Sequence, residues 1–534
     1  MRIFYPGRVP VGSPADAPEL RLDQLEAIYR ITKEITVPGL SKNALVGAGM
    51  GSGKTVVTVE VIMHTKPKRC LIIGVRDAYS QWAKTFVEQG ETRPLLRINK
   101  TAGGMRNLAK LLKGEPGIFY VGMELLRAQD WSTVSETITI PADISAEWGE
   151  VPEPPFVQTM RRQSNTFTKM APVDLLVSDE AHRHSSQKSD AIKTIQSIDA
   201  VAKIALSGTF FGNKFENAWV IAVWLWTKDV IGNKSYFEAD WCVKIPVMTK
   251  DGKKQLKTPG GFPISKITGE RFPGEFVKTL PCYVFIETPI GPVPDPEIVR
   301  VSLGREQSRQ YNQMLDKSLT WIPTTTSSVR EPLVADLPIV QRGRLRTAAL
   351  GAMTLVPGLA EENPDSITFS PGCKSSTLDA AYAVLHRPTW VGQKVLILTH
   401  SRPFAVEAAR RIGLKYRVAL KAGQVASSQW DKDKESFMLP VSETDSVQYI
   451  VAVISAVGTA MDGLQINASK VLWLSEDENN TNNLQGSNRI WRQGVDLAAY
   501  ESVKLVQRDT IAEGVLVKNI VHKASVLGSV QSHA

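Results

Sequence analysis

The sequence predicts an α/β protein with two lobes, each built on a parallel sheet, a cleft between them and a basic protrusion inserted after the first. Short apolar runs alternate with helix-like segments in two separate stretches of the chain, which is the pattern of parallel sheets covered by helices. Only the first stretch contains a glycine-rich turn between a strand and a helix. At 534 residues the chain is also too long for one hydrophobic core, so two or three domains are expected.

The first lobe is predicted from a helical pattern followed by short apolar runs. Apolar residues recur at helical spacing over residues 19–31, and Gln24 lies on one face of that helix. Short, mainly apolar runs without alternation are typical of strands buried on both faces. The runs that we interpret as strands are residues 44–46, 69–75, 118–122, 173–178 and 202–208. The very apolar segment 218–226 is predicted to be a buried helix, because it is far too short to span a membrane.

The glycine-rich turn lies in residues 43–55, NALVGAGMGSGKT. A strand, a turn of this composition and a helix start form a phosphate cradle, because glycines let the backbone N–H groups point inward and the helix N-terminus adds partial positive charge. In this arrangement Lys54 reaches the outer phosphates and the Thr55 hydroxyl holds Mg²⁺. The strict pattern has glycine where this chain has Ala48, and the alternative is a flexible turn without a ligand. The predicted nucleotide-binding residues of the turn are Gly49, Met50, Gly51, Ser52, Gly53, Lys54 and Thr55.

Two adjacent carboxylates, Asp179 and Glu180, follow the apolar run VDLLVS. Ligands gather at the carboxyl ends of the strands in an open parallel sheet. Asp179 is expected to hold Mg²⁺ directly or through water, and Glu180 to orient and deprotonate an attacking water. The alternative is an acidic pair that caps the next helix.

Two segments interrupt the strand and helix alternation. Residues 132–172 contain five prolines and the pair Arg161–Arg162, and are expected to form either a surface loop or a loop that touches nucleic acid. Residues 236–300 are rich in Gly, Pro and Lys, and the part between Lys244 and Lys278 has eight basic and three acidic residues, a net charge of +5. This part is either a solvated hairpin or a protrusion that contacts phosphates. The lysines proposed for such contacts are Lys253, Lys254 and Lys257.

The second lobe is predicted where the alternation resumes. Its interpreted strands are residues 297–303, 394–400, 416–422, 449–455, 470–475 and 501–507, with a polar loop over 324–338. This stretch has no glycine-rich phosphate turn of its own. The predicted domains are therefore 1–235 for the first lobe, 236–296 for the inserted protrusion and 297–534 for the second lobe.

A helix is predicted over NNLQGSNRIWRQ in the second lobe. Gln485, Arg489 and Arg492 are four and three residues apart, so they would share one face of that helix. Two arginines aimed across a cleft at a nucleotide form an arginine-finger arrangement. The alternative is a solvent-exposed basic face.

The motifs, taken in order, resemble those of superfamily 2 helicases and translocases, and most closely the Swi/Snf-like branch. The similar segments are AGMGSGKT, VSDEAHRHSSQKSD, LSGTFFGN, KVLILTHSRPFAVEAARRIG, VISAVGTAMDGLQ, LQGSNRIWRQG and VKLVQRDTIAEG. The resemblance implies two RecA-like lobes, a protrusion inserted after the third motif of the first lobe, and ATP and Mg²⁺ bound in the cleft. The chain departs from the pattern at Phe210, at Gly458-Thr459-Ala460, at Gln465 and at Glu478, and residues 132–172 have no counterpart.

The resemblance also implies roles for residues that spacing alone leaves undefined. Gln24 would recognise the adenine edge, and Gln485 would contact the nucleotide. Ser207 and Thr209 would link the nucleotide site to the nucleic-acid groove, and His182 would bond across that interface. The implied activity is ATP hydrolysis stimulated by DNA and coupled to translocation on duplex DNA.

Composition agrees with this interpretation and limits the alternatives. The net charge is +9, which weakly favours a polyanionic partner. Four scattered cysteines make a zinc site improbable and fit a reducing, cytoplasmic compartment. The expected partner is DNA, preferably duplex, with RNA less favoured and no membrane. A strand-separating helicase and a nucleotide-gated nucleic-acid clamp are the alternative functions.

Overall fold

The structure is a computed structural model that describes residues 20–520 except 50, 128–129, 139–155, 165–166, 168–169, 185–189, 209–214, 249–254, 256–264, 289, 360–362, 424–426 and 458–462. The chain divides into two compact units. Unit 1 comprises residues 1–48, 53–271 and 277–286, and unit 2 comprises residues 49–52, 272–276 and 287–534.

Unit 1 is built on a parallel sheet of seven strands, in the order β11-β1-β8-β7-β2-β4-β3. Its strands are β1 (Asn43–Ala48), β2 (Arg69–Gly74), β3 (Leu95–Ile98), β4 (Gly117–Gly122), β7 (Val173–Ser178), β8 (Ala200–Ser207) and β11 (Tyr283–Ile286). Two antiparallel ribbons accompany the sheet, β5 (Asp130–Ile138) with β6 (Phe156–Ser164) and β9 (Cys242–Pro246) with β10 (Ser265–Glu270). The helices are α1 (Leu22–Thr36), α2 (Lys54–Thr65), α3 (Tyr79–Glu88), α4 (Ala102–Leu112), α5 (Met123–Arg127), α6 (Asp190–Ser197), α7 (Asn217–Ile231) and α8 (Lys234–Trp241). The short helix α9 (Glu275–Lys278) spans the division, and its first two residues belong to unit 2.

Unit 2 contains a second parallel sheet, of six strands in the order β12-β21-β20-β17-β19-β18. Its strands are β12 (Glu297–Val301), β17 (Lys394–Thr399), β18 (Val418–Lys421), β19 (Tyr449–Val453), β20 (Ala468–Trp473) and β21 (Glu501–Gln507). Two small ribbons pair β13 (Leu319–Pro323) with β14 (Arg330–Val334) and β15 (Thr354–Leu355) with β16 (Ile367–Thr368). The helices are α10 (Arg305–Lys317), α11 (Pro338–Ala348), α12 (Ser376–Leu385), α13 (Arg402–Gly413), α14 (Ser427–Met438), α15 (Ile454–Val457), α16 (Asn480–Ser487) and α17 over residues 511–520.

The two sheets confirm the predicted fold class, an α/β protein with two parallel-sheet lobes. The central strands are buried on both faces, as their uninterrupted apolar sequences predict. In unit 2, side chains that alternate along a strand belong to different cores: Val395 and Ile397 pack in one, and Leu396 and Leu398 in the other. The apolar segment 218–226 lies within α7 and is buried as predicted.

Some local predictions were wrong. Residues 132–172 are more than a surface loop, because β5 and β6 form a ribbon with nine residues in each strand. The polar loop predicted over 324–338 contains β14, which pairs with β13. The helix predicted over NNLQGSNRIWRQ ends at Ser487, so Gln485 lies on α16 while Arg489 and Arg492 lie in the turn that follows it.

The predicted inserted segment 236–296 contains the ribbon β9–β10 and then returns to the first sheet. Its last strand, β11, pairs in parallel with β1. Lys253, Lys254 and Lys257 lie outside the described residues, so the basic protrusion stays a prediction, as do the proposed domain boundaries. In the described part of the chain, every helix is too short or too polar to cross a membrane.

Candidate active site

The glycine-rich turn begins at the carboxyl end of β1, a strand that is buried from Ala44 onward. The Ser52 N–H donates to the Gly49 carbonyl at 3.2 Å, which closes the turn. Gly51 and Gly53 have φ values of +75° and +92°, in the left-handed region that favours glycine. The turn therefore has the backbone that its sequence predicts, with Met50 outside the described residues.

Gly53 also lies against the side chain of Gln24. A Cβ atom at Gly53 would lie 2.3 Å from the Gln24 side-chain nitrogen Nε2. Gln24 is buried, and its Oε1 accepts the Arg21 N–H at 3.0 Å at the start of α1. The structure thus brings the predicted adenine-recognising glutamine against the glycine-rich turn.

Helix α2 starts directly after Gly53, which has no side chain to cap it. The first N–H groups of a helix lack intrahelical partners, so this terminus suits an anion. Lys54 and Thr55 are the first two residues of the helix. The Lys54 ammonium Nζ lies 3.8 Å from the Glu180 carboxylate Oε1, so the two predicted functional side chains meet.

Asp179 and Glu180 form a turn at the carboxyl end of β7. The Asp179 N–H donates to the Ile73 carbonyl of β2 at 2.7 Å. The Asp179 carboxylate accepts two hydrogen bonds, from the Glu180 N–H to Oδ1 at 2.9 Å and from the Trp82 indole Nε1 to Oδ2 at 3.0 Å. Glu180 has φ +51°, and a non-glycine residue in this region is uncommon and concentrates at functional sites.

Opposing effects act on the pKa of the buried Asp179 carboxyl. Burial and then the neighbouring Glu180 raise its pKa to about 6, while Lys54, the Trp82 indole and the Glu180 N–H lower it. A bound divalent cation would oppose the upward shift, because it stabilises the ionised carboxylate.

His182 links this acidic pair to β8. Its Nδ1 lies 3.1 Å from the Ser207 hydroxyl and 3.3 Å from Glu180 Oε2. Burial lowers the pKa of His182 to about 4, against the opposing effect of Glu180, so the imidazole is neutral at pH 7 and its contact with Glu180 is not an ion pair. The predicted coupling residues His182 and Ser207 are therefore in contact, while Thr209 lies outside the described residues.

The residues predicted to hold Mg²⁺ fit that ion. Mg²⁺ is usually bound by one or two protein oxygens together with substrate phosphates and water. The fixed Asp179 carboxylate and the Thr55 hydroxyl, at the start of a helix that suits phosphate, are oxygen donors of this kind. Within the described ranges, no three His, Cys, Asp or Glu side chains are grouped to hold a metal without substrate.

The turn that carries Arg489 and Arg492 belongs to unit 2. Arg489 and Gln485 are buried, and the Arg492 Nε donates to the Asn488 carbonyl at 2.5 Å. The Arg489 N–H donates to the Gly486 carbonyl at 3.2 Å, a turn geometry rather than a continued helix. Arg489 and Arg492 thus lie on a short, hydrogen-bonded turn that follows α16.

The segment before α16 is fixed by its own polar side chains. Asp477 Oδ1 accepts the Asn479 N–H at 2.9 Å, and Asp477 Oδ2 accepts the Asn482 amide at 3.0 Å. The Asp477 N–H donates to Asn483 Oδ1 at 2.8 Å. This network explains why an Asn-rich stretch starts a helix here.

Helix α11 also stabilises the segment that precedes α16. The Arg342 Nε donates to Glu478 at 2.7 Å, and an Arg346 Nη donates to the Glu476 carbonyl at 2.7 Å. Glu478, one of the departures from the family pattern, is therefore the acceptor of an ion pair within unit 2.

A crevice of about 780 Å³ lies at the carboxyl ends of β17, β18 and β19 in unit 2. The residues that line it include three arginines and one acid, Arg344, Arg346, Arg402 and Asp365. His400 also lines it, with its Nδ1 2.7 Å from the Ser475 hydroxyl, and burial holds the pKa of His400 well below its usual value. The excess of arginine suits a phosphate-bearing ligand.

Residues 17–212 match the family model described as "Type III restriction enzyme, res subunit". This N-terminal part is a superfamily 2 helicase-type ATPase domain. The match confirms, for the ATPase domain, the superfamily predicted from the motifs. Within the matched range lie the glycine-rich turn, the Asp179–Glu180 pair and Ser207.

Among solved structures, the chain is similar to the SWI2/SNF2 ATPase core of Sulfolobus solfataricus in complex with dsDNA. The identity is 15% and the TM-score 0.36, over 96% of this chain and 94% of that chain. A comparison with curated proteins gives no match.

The sequence did not predict one contact in the ATPase domain, the hydrogen bond from Trp82 to Asp179. The segment SQWAKTFVEQ predicts a helix, and Trp82 lies on its buried side. A buried tryptophan is normally interpreted as core, and no sequence pattern indicates which carboxylate its N–H reaches.

Proposed function

We propose that this protein is an ATP-dependent motor of the Swi/Snf-like branch, whose ATPase activity is stimulated by DNA and drives translocation on double-stranded DNA. The observation that carries the proposal is the continuous set of contacts from Lys54 through Glu180 and His182 to Ser207, in a domain of helicase type. These contacts connect the phosphate-binding turn after β1, the two carboxylates after β7 and the end of β8.

The glycine-rich turn and Lys54 hold the phosphates of ATP, and Gln24 lies beside the turn to contact the adenine. Thr55 and Asp179 hold Mg²⁺, which when bound neutralises phosphate charge. Glu180 takes a proton from the water that attacks the outer phosphate, because a carboxylate near the phosphate lysine is placed to accept it.

Arg489 and Arg492 act on the same reaction from the second lobe. As the lobes close around ATP, their guanidinium groups stabilise charge that develops on the transferred phosphate. Gln485 contacts the nucleotide from the end of α16. Opening after hydrolysis then moves the lobes along the nucleic acid.

Nucleic acid is held mainly through its phosphates. The arginine-lined crevice of unit 2 and the lysine-rich stretch 244–278 both supply positive charge. Duplex DNA is favoured over RNA because the second and third motifs and the segment around Thr510 and Ile511 resemble the branch that follows intact duplex.

A paired motor assay tests this function. Duplex DNA is expected to stimulate ATP hydrolysis more than RNA does. With ATP, the protein is expected to displace the third strand of a triplex on duplex DNA while barely unwinding a simple fork at a matched ATPase rate.

The alternatives give different results in the same assay. Strong fork unwinding without triplex displacement would indicate a strand-separating helicase. DNA-stimulated hydrolysis with neither activity would indicate a nucleotide-gated clamp and would contradict the motor.

Replacing Lys253, Lys254 and Lys257 together with Ala is expected to weaken binding to all DNA sequences, because phosphate contacts carry no sequence information. The slope of log K against log salt should fall by up to about one unit for each lost contact. The control is the triple alanine variant of Lys113, Lys193 and Lys317, which are exposed and change the net charge equally. An unaltered slope in the test variant would assign this stretch to a solvated hairpin.

A further inference from the structure

We propose that Trp82 is a positioning residue that holds the Asp179 carboxylate in the orientation in which it binds Mg²⁺ together with ATP. The inference rests on the proposed function, since it assigns a role to a residue of that site. Trp82 donates its indole N–H to Asp179 Oδ2 at 3.0 Å, and both side chains are buried.

The hydrogen bond from Trp82 reaches Asp179 from a different secondary-structure element, the helix α3. The other bond to the carboxylate comes from the N–H of the adjacent Glu180, which is part of the same turn. Trp82 lies on α3, which follows β2, and β2 also accepts the Asp179 N–H through Ile73. The indole therefore ties the carboxylate to the sheet and its covering helix, independently of how the turn itself is placed.

The indole is in turn fixed by its surroundings. Its ring centre lies 6.4 Å from that of Phe86 and 6.5 Å from that of Tyr120. Tyr120 is held by its hydroxyl, which donates to the Val75 carbonyl at 2.7 Å. Because the Trp82 ring is packed in this way, its N–H donor favours one rotation of the Asp179 carboxylate.

A fixed rotation matters because a carboxylate has two oxygens and can accept about four hydrogen bonds or metal contacts. The Trp82 and Glu180 N–H groups each occupy one position, so a lone pair remains on each oxygen for the cation. Indole is only a donor, so it suits the ionised carboxylate that a metal requires. Groups that orient a metal ligand commonly change metal affinity 10- to 100-fold when removed.

The test is Trp82→Phe, which removes the N–H and keeps an aromatic ring. The chain offers a matched control, Trp224→Phe, because Trp224 is buried in the same unit and its Nε1 has no hydrogen-bond partner among the described residues. The readout is the affinity for a fluorescent, non-hydrolysable ATP analogue, measured with Mg²⁺ in excess and again with EDTA. Folding is followed by circular dichroism.

Trp82→Phe is expected to bind the analogue as the wild type does in EDTA and about tenfold more weakly with Mg²⁺, and to need more Mg²⁺ for half-maximal ATPase activity. Trp224→Phe should match the wild type in both conditions. Trp82→His, which can present a ring N–H, should recover part of the Mg²⁺ effect. Trp82→Leu, which also lacks the N–H, replaces Trp82→Phe if that variant fails to fold.

Three results would overturn the inference. Equal affinities of Trp82→Phe and wild type with Mg²⁺ would leave the proposed function intact and remove the role of Trp82. An equal loss of affinity with Mg²⁺ and with EDTA would also leave the proposed function intact, and it would make Trp82 a purely structural residue. A wild type whose nucleotide binding does not respond to Mg²⁺ would also overturn the inference, whereas a wild type without DNA-stimulated hydrolysis would overturn the proposed function itself.

Discussion

Glu180→Gln is expected to bind ATP with nearly normal affinity and to lose about 10²- to 10⁴-fold in turnover. Glutamine preserves the size of the side chain and can still contact Lys54 and His182, which lie 3.8 and 3.3 Å from the carboxylate. It cannot accept a proton from the attacking water. The loss should therefore appear in single-turnover hydrolysis and not in the binding of a fluorescent ATP analogue.

Two controls separate this effect from general damage to the site. Glu88→Gln removes a carboxylate from the surface of α3, where it lies 3.5 Å from Lys84, and should leave turnover unchanged. Lys54→Ala should lose nucleotide affinity as well as turnover, because the outer phosphates lose their side-chain cation. Near-normal turnover in Glu180→Gln would show that another group activates the water.

The sequence predicted the parallel sheets because their strands are buried on both faces. Continuous runs such as 69–75 and 394–400 contain no alternation, and each corresponds to a central strand, β2 or β17. Strands at the margins were harder to predict. β3 has only four residues, and β11 comes after the Gly-, Pro- and Lys-rich stretch of the inserted segment before it pairs with β1.

The candidate site was predictable where functional residues are close in sequence. Gly53, Lys54 and Thr55 belong to one turn, and Asp179 and Glu180 to another, so motif spacing was sufficient to find them. The contact between Gln24 and Gly53 needed the resemblance to a known family, since a lone glutamine on a helix has no distinctive pattern. Trp82 was not predicted, because its role depends on packing between α3 and β7 that no local pattern encodes.

The end of α16 shows the limit of helical periodicity. Gln485, Arg489 and Arg492 have helical spacing, yet the helix ends at Ser487. The stretch has low helix propensity, since it contains Gly486, Ser487 and Asn488 in succession. Hydrogen bonds of a turn, including the one from Arg492 Nε to the Asn488 carbonyl, replace the continuing helix.

Arg489→Ala or Arg492→Ala is expected to reduce ATP turnover by about 10³-fold or more while ATP binding is retained. An arginine that stabilises charge formed only in the transition state contributes to turnover and little to the bound ground state. The two residues differ in setting, because Arg489 is buried and Arg492 is partly exposed beside the Asn488 carbonyl. Each variant is therefore measured separately, by single-turnover hydrolysis and by equilibrium nucleotide binding, with thermal unfolding as the check on Arg489→Ala.

Lysine variants at the same positions distinguish charge from geometry. Arg→Lys keeps the positive charge but removes the planar group that contacts a phosphate through two N–H donors. Arg417→Ala is the control, since Arg417 is paired with Asp445 in unit 2 at 2.8 Å and has no proposed part in hydrolysis. If the alanine variant lost affinity and turnover equally, the arginine would act in ground-state binding. If the lysine variant kept full turnover, positive charge alone would be sufficient, and the arginine-finger assignment for that residue would be wrong.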